Sequence, residues 1–324
     1  MLRAFIRSEG SLKGIDMLAD RNLPDEASWV DLYQPTREEE VLVETALGIE
    51  VPTHEEMQEI EVSSRLYQDA GALYMTATIL AHTGTQHPES QAVTFILADS
   101  RLVTLRYTEP RPFDTFAAYV ERQPELCATG EIALIGLLDA IIDRTADILE
   151  RVSAEIDTLS REIFERVPAK QASGNGFEKM LSRIGQNQYL TAKARESLVS
   201  LSRLLSFLKL PEEAVNRQEL QSHIKTLRQD ILSLSDQTSF VFSNINFLLD
   251  TVLGMINIEQ NSIIKIFSVA AVVFLPPTLV ASIYGMNFDL MPELRWELGY
   301  PLAILLMVAS AVLPYLYFKR RGWL

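Results

Sequence analysis

Asn261, Thr278 and Ser282 carry side-chain oxygen on one face of an otherwise apolar run, and that spacing is the first chemistry the chain offers. Steps of three or four from Asn261 give Ile264, Ser268, Ala271, Leu275, Thr278, Ser282 and Gly285, one mostly small or polar stripe of a helix. Phe267, Val273, Phe274 and Val280 lie off it. Repeated around an axis, such amide and hydroxyl oxygens would solvate a passing cation, and rings of Ile264 and Leu275 would narrow and dry the path between them. Close packing of helices is the plainer use of small residues. No carboxylate lies within the run, which argues against a proton relay or a tightly held bare ion. Just beyond it, Asp289 and Glu293 would raise the local cation concentration through a field that salt weakens.

Other constellations are weaker. His54, His82, His87 and His223 show no metal-ligand spacing with one another or with the single cysteine, Cys127. Glu150, Glu155, Asp157, Glu162 and Glu165 read as a solvated helix face before they read as a cation sink. There is no Gly-rich phosphate loop, nucleophile elbow or H-E-x-x-H, so neither an enzyme nor an organic cofactor is expected. With 29 basic and 43 acidic residues the net charge is −14, and nucleic acid is not an expected partner. One cysteine cannot form an internal disulfide, which suits a reducing compartment. The first ten residues hold no apolar stretch of the signal-peptide kind.

The elements that must position the stripe are legible in part. Ile266–Tyr284 and Tyr300–Phe318 are uncharged runs of 19 residues, near the ~20 needed to cross the hydrocarbon core. Lys265 and the triplet Lys319, Arg320 and Arg321 mark the cytoplasmic ends, leaving the acidic connector outside and both termini inside. The triplet is expected to form a basic ring resting on anionic lipid headgroups. Two spans cannot enclose a pore, so conduction requires several copies of the chain.

Upstream, Val30–Leu32, Ala72–Ile79, Val93–Ala98 and Arg101–Tyr107 read as strands of a mostly antiparallel sheet. Thr36 with Glu39, and Thr53 with Glu56, are capping boxes, and Gly48 ends the first of these helices. Ile132 to about Val167 predicts a long helix, Gly174-Asn175-Gly176 a turn, then a helix to about Leu210 and a third opened by Pro211. In the third, Leu227, Ile231, Leu234, Thr238, Val241, Ile245, Leu248, Val252 and Met255 form a heptad seam. That seam is expected to pack along a common axis and to lead into the polar stripe. The expected division is an α/β domain over 1–125, a helical pair and stalk over 126–262, and a membrane pair over 263–324, an α+β membrane protein.

Gly285-Met286-Asn287, set directly after a membrane-length helix and before Met291-Pro292-Glu293-Leu294, resembles the signature of the CorA family of divalent-cation channels. The resemblance extends from Ile256-Asn257-Ile258-Glu259-Gln260-Asn261 through Phe274-Leu275-Pro276-Pro277-Thr278 to Trp323-Leu324, and looks close to the enterobacterial members. It implies a funnel-shaped homopentamer in the bacterial inner membrane, with a cytoplasmic α/β sandwich, a pore-lining stalk helix and an outer ring of second helices. It also implies that Gly285, Met286 and Asn287 capture hydrated Mg2+, with Co2+ and Ni2+ also passed. The chemistry agrees, because Mg2+ sheds water reluctantly and a neutral amide oxygen can hydrogen-bond its hydration shell. In some members acidic residues between cytoplasmic domains bind regulatory Mg2+. The matching stalk position is Thr226 here, and Asp230, one turn on, is the candidate substitute, its partner unassigned. A zinc transporter of the same architecture is the alternative, with Met286 favouring the magnesium branch; a non-conducting membrane scaffold is the other.

Overall fold

The computed structural model describes residues 1–8, 11–17, 22–84, 88–165, 174–212, 214–287 and 291–323. It divides into two compact units, Met1–Leu248 and Leu249–Leu324.

The first unit is built on seven strands: β1 (Leu2–Ser8), β2 (Ser11–Met17), β3 (Ala27–Tyr33), β4 (Leu66–Asp69), β5 (Ala72–Ala81), β6 (Glu89–Ala98) and β7 (Arg101–Arg106). Their order is β2-β1-β3-β7-β6-β5-β4, and only the β3–β7 pairing is parallel. The mostly antiparallel sheet is therefore found, extended beyond the four expected strands by β2 and β1 on one side and by β4 on the other. Helices α1 (Arg37–Leu47), α2 (His54–Met57) and α3 (Val62–Arg65) lie between β3 and β4 in sequence. Helices α4 (Arg111–Arg122), α5 (Gly130–Glu165) and α6 (Gly174–Phe207) follow the sheet. Both sheet faces are buried. Val30, Leu32, Tyr74 and Ile96 pack with Val43 of α1 and Met57 of α2, while Trp29, Phe95 and Leu102 pack with α4, α5 and α6.

Local chemistry explains several boundaries. Both predicted capping boxes are present, and Gly48 takes a left-handed conformation, φ 66°, at the end of α1. Helix α5 starts hard against β7: a Cβ on Gly130 would lie 2.4 Å from the Arg101 carbonyl carbon, so only glycine fits. Phe5 faces Gly14 across the β1–β2 pair and stacks on Trp29 at 4.0 Å, so a residue without a side chain makes room for an aromatic stack.

Three expectations change. Gly174-Asn175-Gly176 is the opening of α6 rather than a turn before it; Val167 lies outside the described residues. Pro211 does not open the third helix, which is α7 (Arg217–Tyr284). Pro211 accepts a turn hydrogen bond from Ala214, and Asn216, at φ 55°, redirects the chain before the helix begins. Most consequentially, the heptad seam is used within one chain. Leu227 and Ile231 are buried in the core that holds Ile141 and Leu149 of α5 and Leu201 and Leu204 of α6. Thr238, Val241, Ile245 and Leu248 are buried as well. Two long amphipathic helices need a third apolar face to cover them, and α7 supplies it before any second copy is present.

A buried polar network ties β3 to β7. Asp31 pairs with Arg106 at 2.8 Å and accepts from Thr104, which in turn accepts from the Trp29 indole at 3.0 Å. The Arg106 guanidinium lies over the rings of Tyr33 and Phe113. Asp31→Ala strands a buried guanidinium and should destabilise the first unit by about 3–5 kcal/mol. The check is thermal unfolding of the detergent-solubilised full chain, where an unchanged melting temperature would show that the pair is dispensable.

Candidate ion pathway

The second unit contains the end of α7 and helix α8 (Gly299–Arg320), both long and apolar enough to cross a membrane. Few of their residues are shielded. In the membrane-length run of α7 the shielded ones are Val269, Ala270, Val273, Pro276, Pro277, Val280 and Tyr284; on α8 they are Gly299, Ala303, Met307, Ala309, Ser310, Ala311, Pro314 and Phe318. Val269, Val273, Pro276, Val280 and Tyr284, and Ala303, Met307, Ala311, Pro314 and Phe318, recur at three and four and centre each set on one helical face.

The polar stripe lies on the other side of α7. Ala271, Leu275, Thr278 and Ser282 each stand two residues after a shielded position, about 200° round the helix. Asn261, Ile264, Ser268, Ala271, Leu275, Thr278, Ser282 and Gly285 are all exposed, so one open face brings them together. They do not continue the heptad seam. Asn261 falls six residues after Met255, about a third of a turn away from it. The hydroxyl of Thr278 donates to the Phe274 carbonyl at 2.8 Å, so what remains for the open side is lone pairs, the half of a hydroxyl that suits a cation.

Helix α7 ends where chemistry was anticipated. The Gly285 amide still donates to Ala281, and a Cβ there would sit 3.1 Å from that same carbonyl oxygen, tighter than ordinary packing. The chain then leaves the helix through Met286, and Asn287 is exposed just past its end. Asp289 lies outside the described residues. Glu293 falls in a single 3-10 turn, Pro292–Arg295, with its side chain outside them as well.

At the other end of α8, Lys319 and Arg320 occupy the last turn, where cations complement the helix dipole. Arg321 lies over the Tyr317 ring, and Trp323 stacks on Phe318 after the left-handed Gly322. All three basic residues are exposed.

In the first unit the structure gives Asp230 a neighbour. Partial desolvation, then the charges of Asp139, Asp147 and Asp230, raise the pKa of Asp143 above its ordinary value. Asp139, Asp143 and Asp147 stand one helical turn apart on α5, a spacing that the sequence carries upstream of the carboxylates from Glu150 to Glu165. His223 lies 3.5 Å from Asp139 and Arg144 lies 3.7 Å from Asp147. Among the described residues of one chain, no three His, Cys, Asp or Glu side chains are grouped to hold a metal ion.

A family model described as CorA-like Mg2+ transporter protein matches residues 24–320. The chain belongs to the CorA family. It is 36% identical, over the full length of both chains, to the magnesium transport protein CorA of Salmonella typhimurium (strain LT2). It is 38% identical to that of Pectobacterium atrosepticum, covering 91% of this chain and 92% of the relative. Among solved structures, the complete CorA magnesium transporter of Methanocaldococcus jannaschii matches with a TM-score of 0.76 at 20% identity, over 100% of this chain and 99% of that one. The ZntB cytoplasmic domain of Vibrio parahaemolyticus matches with a TM-score of 0.56 at 8% identity, over 79% of this chain and 97% of the other. The expected resemblance to enterobacterial CorA is met, and the CorA-family fold places the soluble unit, long helix and two membrane-length helices in one architecture.

The cysteine content permits a direct test of the stripe. Cys127 is buried, and burial pushes its thiol up to about 11, so it is inert toward thiol reagents near neutral pH. Cysteine placed singly at Asn261, Thr278 or Ser282 should react with a membrane-impermeant thiosulfonate in intact vesicles, and Phe274→Cys should not. Labelling at 274 without labelling at 278 would turn the stripe toward lipid.

Proposed function

We propose that the chain assembles as a homopentamer in the bacterial inner membrane and conducts Mg2+ into the cell along the exposed stripe of α7. The observation that carries this reading is the opposition of the two faces of α7. One side is shielded, and the far side holds the amide and hydroxyl oxygens and ends at Gly285-Met286-Asn287. With α8 outside, the stripe turns to the axis, and the soluble unit and both termini lie on the cytoplasmic side as a funnel. Membership of a Mg2+ transporter family supports the choice of ion. Co2+ and Ni2+, of similar charge and hydration, are expected to follow the same route.

In this reading the Asn287 amides form a ring that hydrogen-bonds the hydrated ion without stripping its water. Magnesium binds oxygen in strict octahedral geometry at 2.0–2.1 Å and dehydrates reluctantly, so a site that accepts the hydrated ion avoids that cost. Asp289 and Glu293 enrich cations at the mouth from a distance. Past the ring, Ser282 and Thr278 offer lone pairs, Leu275 narrows the path, and Ser268, Ile264 and Asn261 repeat the alternation. The basic triplet Lys319, Arg320 and Arg321 anchors the cytoplasmic rim to anionic lipid. The ZntB likeness concerns fold alone and leaves zinc without a feature of its own in this chain.

For regulation we place the cation-sensitive element on the face that carries Asp139, Asp143, Asp147 and Asp230. Their mutual repulsion is screened when Mg2+ is plentiful and is exposed when it is scarce. Because the Asp143 pKa is raised, the repulsion is present in full above that pKa and is relieved as pH falls through it.

Two predictions follow from these roles. Asn287→Ala should abolish Mg2+ uptake into vesicles while the oligomer keeps its size, because it removes an ion contact and no packing. Glu293→Gln should lower flux mainly at low ionic strength. An Asn287→Ala protein that conducts like the parent ends the assigned mechanism. For the sensor, Asp143→Asn should flatten the dependence of flux on cytoplasmic Mg2+. Acidification through the raised Asp143 pKa should mimic added Mg2+ in the parent and do less in the variant. Equal Mg2+ and pH responses in the two proteins would remove Asp143 from the sensor.

A further inference from the structure

The first turns of α7 and the connector leaving α6 enclose a cleft of about 580 Å³. Arg217, Lys225 and Arg228 line it from α7 at intervals of eight and three residues, one side of the helix, and Lys209 lines it from the connector. In a chain of net charge −14, four cations converge on this cleft with one carboxylate, Glu212, among the lining residues. The ion pairs among the described residues involve none of the four.

Three details make this more than a solvated basic patch. The Nε of Arg217 is buried and has no hydrogen-bond acceptor, a donor that asks for one. Arg228 is fixed in place by donating to the Leu205 carbonyl. Helix α7 begins at Arg217, and the Leu220 amide, donating to Asn216, is the first to bond back along the chain. The positive end of the helix dipole therefore lies at Arg217, itself a lining residue. Buried Ile224 and Leu208 supply an apolar floor, against which charge–charge attraction is less screened than in open water.

We propose that this cleft binds a soluble phosphate-bearing anion with several charges, of the pyrophosphate or polyphosphate-tail class. Four cations suit an anion of three or four charges better than a single phosphate or sulfate, and fixed guanidinium groups suit its paired oxygens. Ile266, where the uncharged run starts, comes 49 positions after Arg217 along α7, which favours a soluble anion over a lipid headgroup. The inference concerns the first unit and does not depend on the conduction mechanism. Anions of this class are also strong ligands of Mg2+, and complexation cancels two of their charges. The cleft should therefore prefer the metal-free form, coupling the protein to the pool that buffers its proposed cargo.

The test is calorimetric titration of the full-length protein, in neutral detergent and at fixed ionic strength, with pyrophosphate. Saturable binding at one site per chain is expected, weakened by added salt and by excess Mg2+. Lys209 and Lys225 are exposed, so the double variant Lys209→Gln/Lys225→Gln should keep the parent melting temperature and lose at least about tenfold in affinity. Glu212→Gln should bind more tightly. Absence of saturable binding, or equal affinity in the double variant, would overturn the site. Sulfate at the same ionic strength competing as well as pyrophosphate would overturn the polyphosphate assignment. A short-chain phosphatidylglycerol that binds as tightly as pyrophosphate would overturn the soluble source.

Discussion

The first unit depends on a three-helix contact that closes within one chain. Helices α5 and α6 each present a long apolar face, and the sheet covers only part of it. The remainder is met by Leu227, Ile231 and the residues that follow them at seam spacing on α7. Burying four or five aliphatic side chains of this kind is worth roughly 1.5–3 kcal/mol each before the ordering of the chain is subtracted. Once that face is committed, the rest of α7 is free to carry polar residues without weakening the unit. Packing and the proposed conduction are thus assigned to different faces of one helix.

That separation also explains what could and could not be read from residues alone. Capping boxes at Thr36 and Thr53 and the left-handed Gly48 are local hydrogen-bonding motifs, complete within a few residues, and each is present as the sequence predicts. Uncharged runs of membrane length are equally local, and so is the spacing of the stripe. The seam was visible too, but its partner was not, because a heptad pattern specifies a mating face without saying whose helix mates with it. Strands β1, β2 and β4 carry no clear strand signal: the burial of the first two is set by the Phe5–Trp29 stack and by Gly14, and β4 is a four-residue edge strand, none of which gives a clean alternation. The start of α7 was displaced because Pro211 is permitted at a helix start but equally at a turn, and the Ala214 hydrogen bond makes it a turn.

Charge is distributed with comparable economy. Carboxylates are kept out of both membrane-length runs and gathered on α5, where Asp139, Asp143 and Asp147 repeat at each turn. Basic side chains stand at the end of α8, where the helix carbonyls favour them, and along the first turns of α7, whose amino end does not favour them. The first placement is electrostatically comfortable. The second works against the local field unless a counter-charge arrives, and for that reason it is the one that points outward to a ligand.

Pro276 and Pro277 sit inside α7 between Leu275 and Thr278. Neither can donate an amide hydrogen, so the carbonyls one turn earlier, at Val272 and Val273, receive no ladder bond from them. Two consecutive rungs are missing from the ladder at this level, while the rest of the helix is regular. In mechanical terms a 68-residue lever has one compliant link, and that link adjoins the narrow ring assigned to Leu275. A twist or bend applied at the soluble end of such a rod is not shared evenly along it; the strain collects where stiffness is lowest.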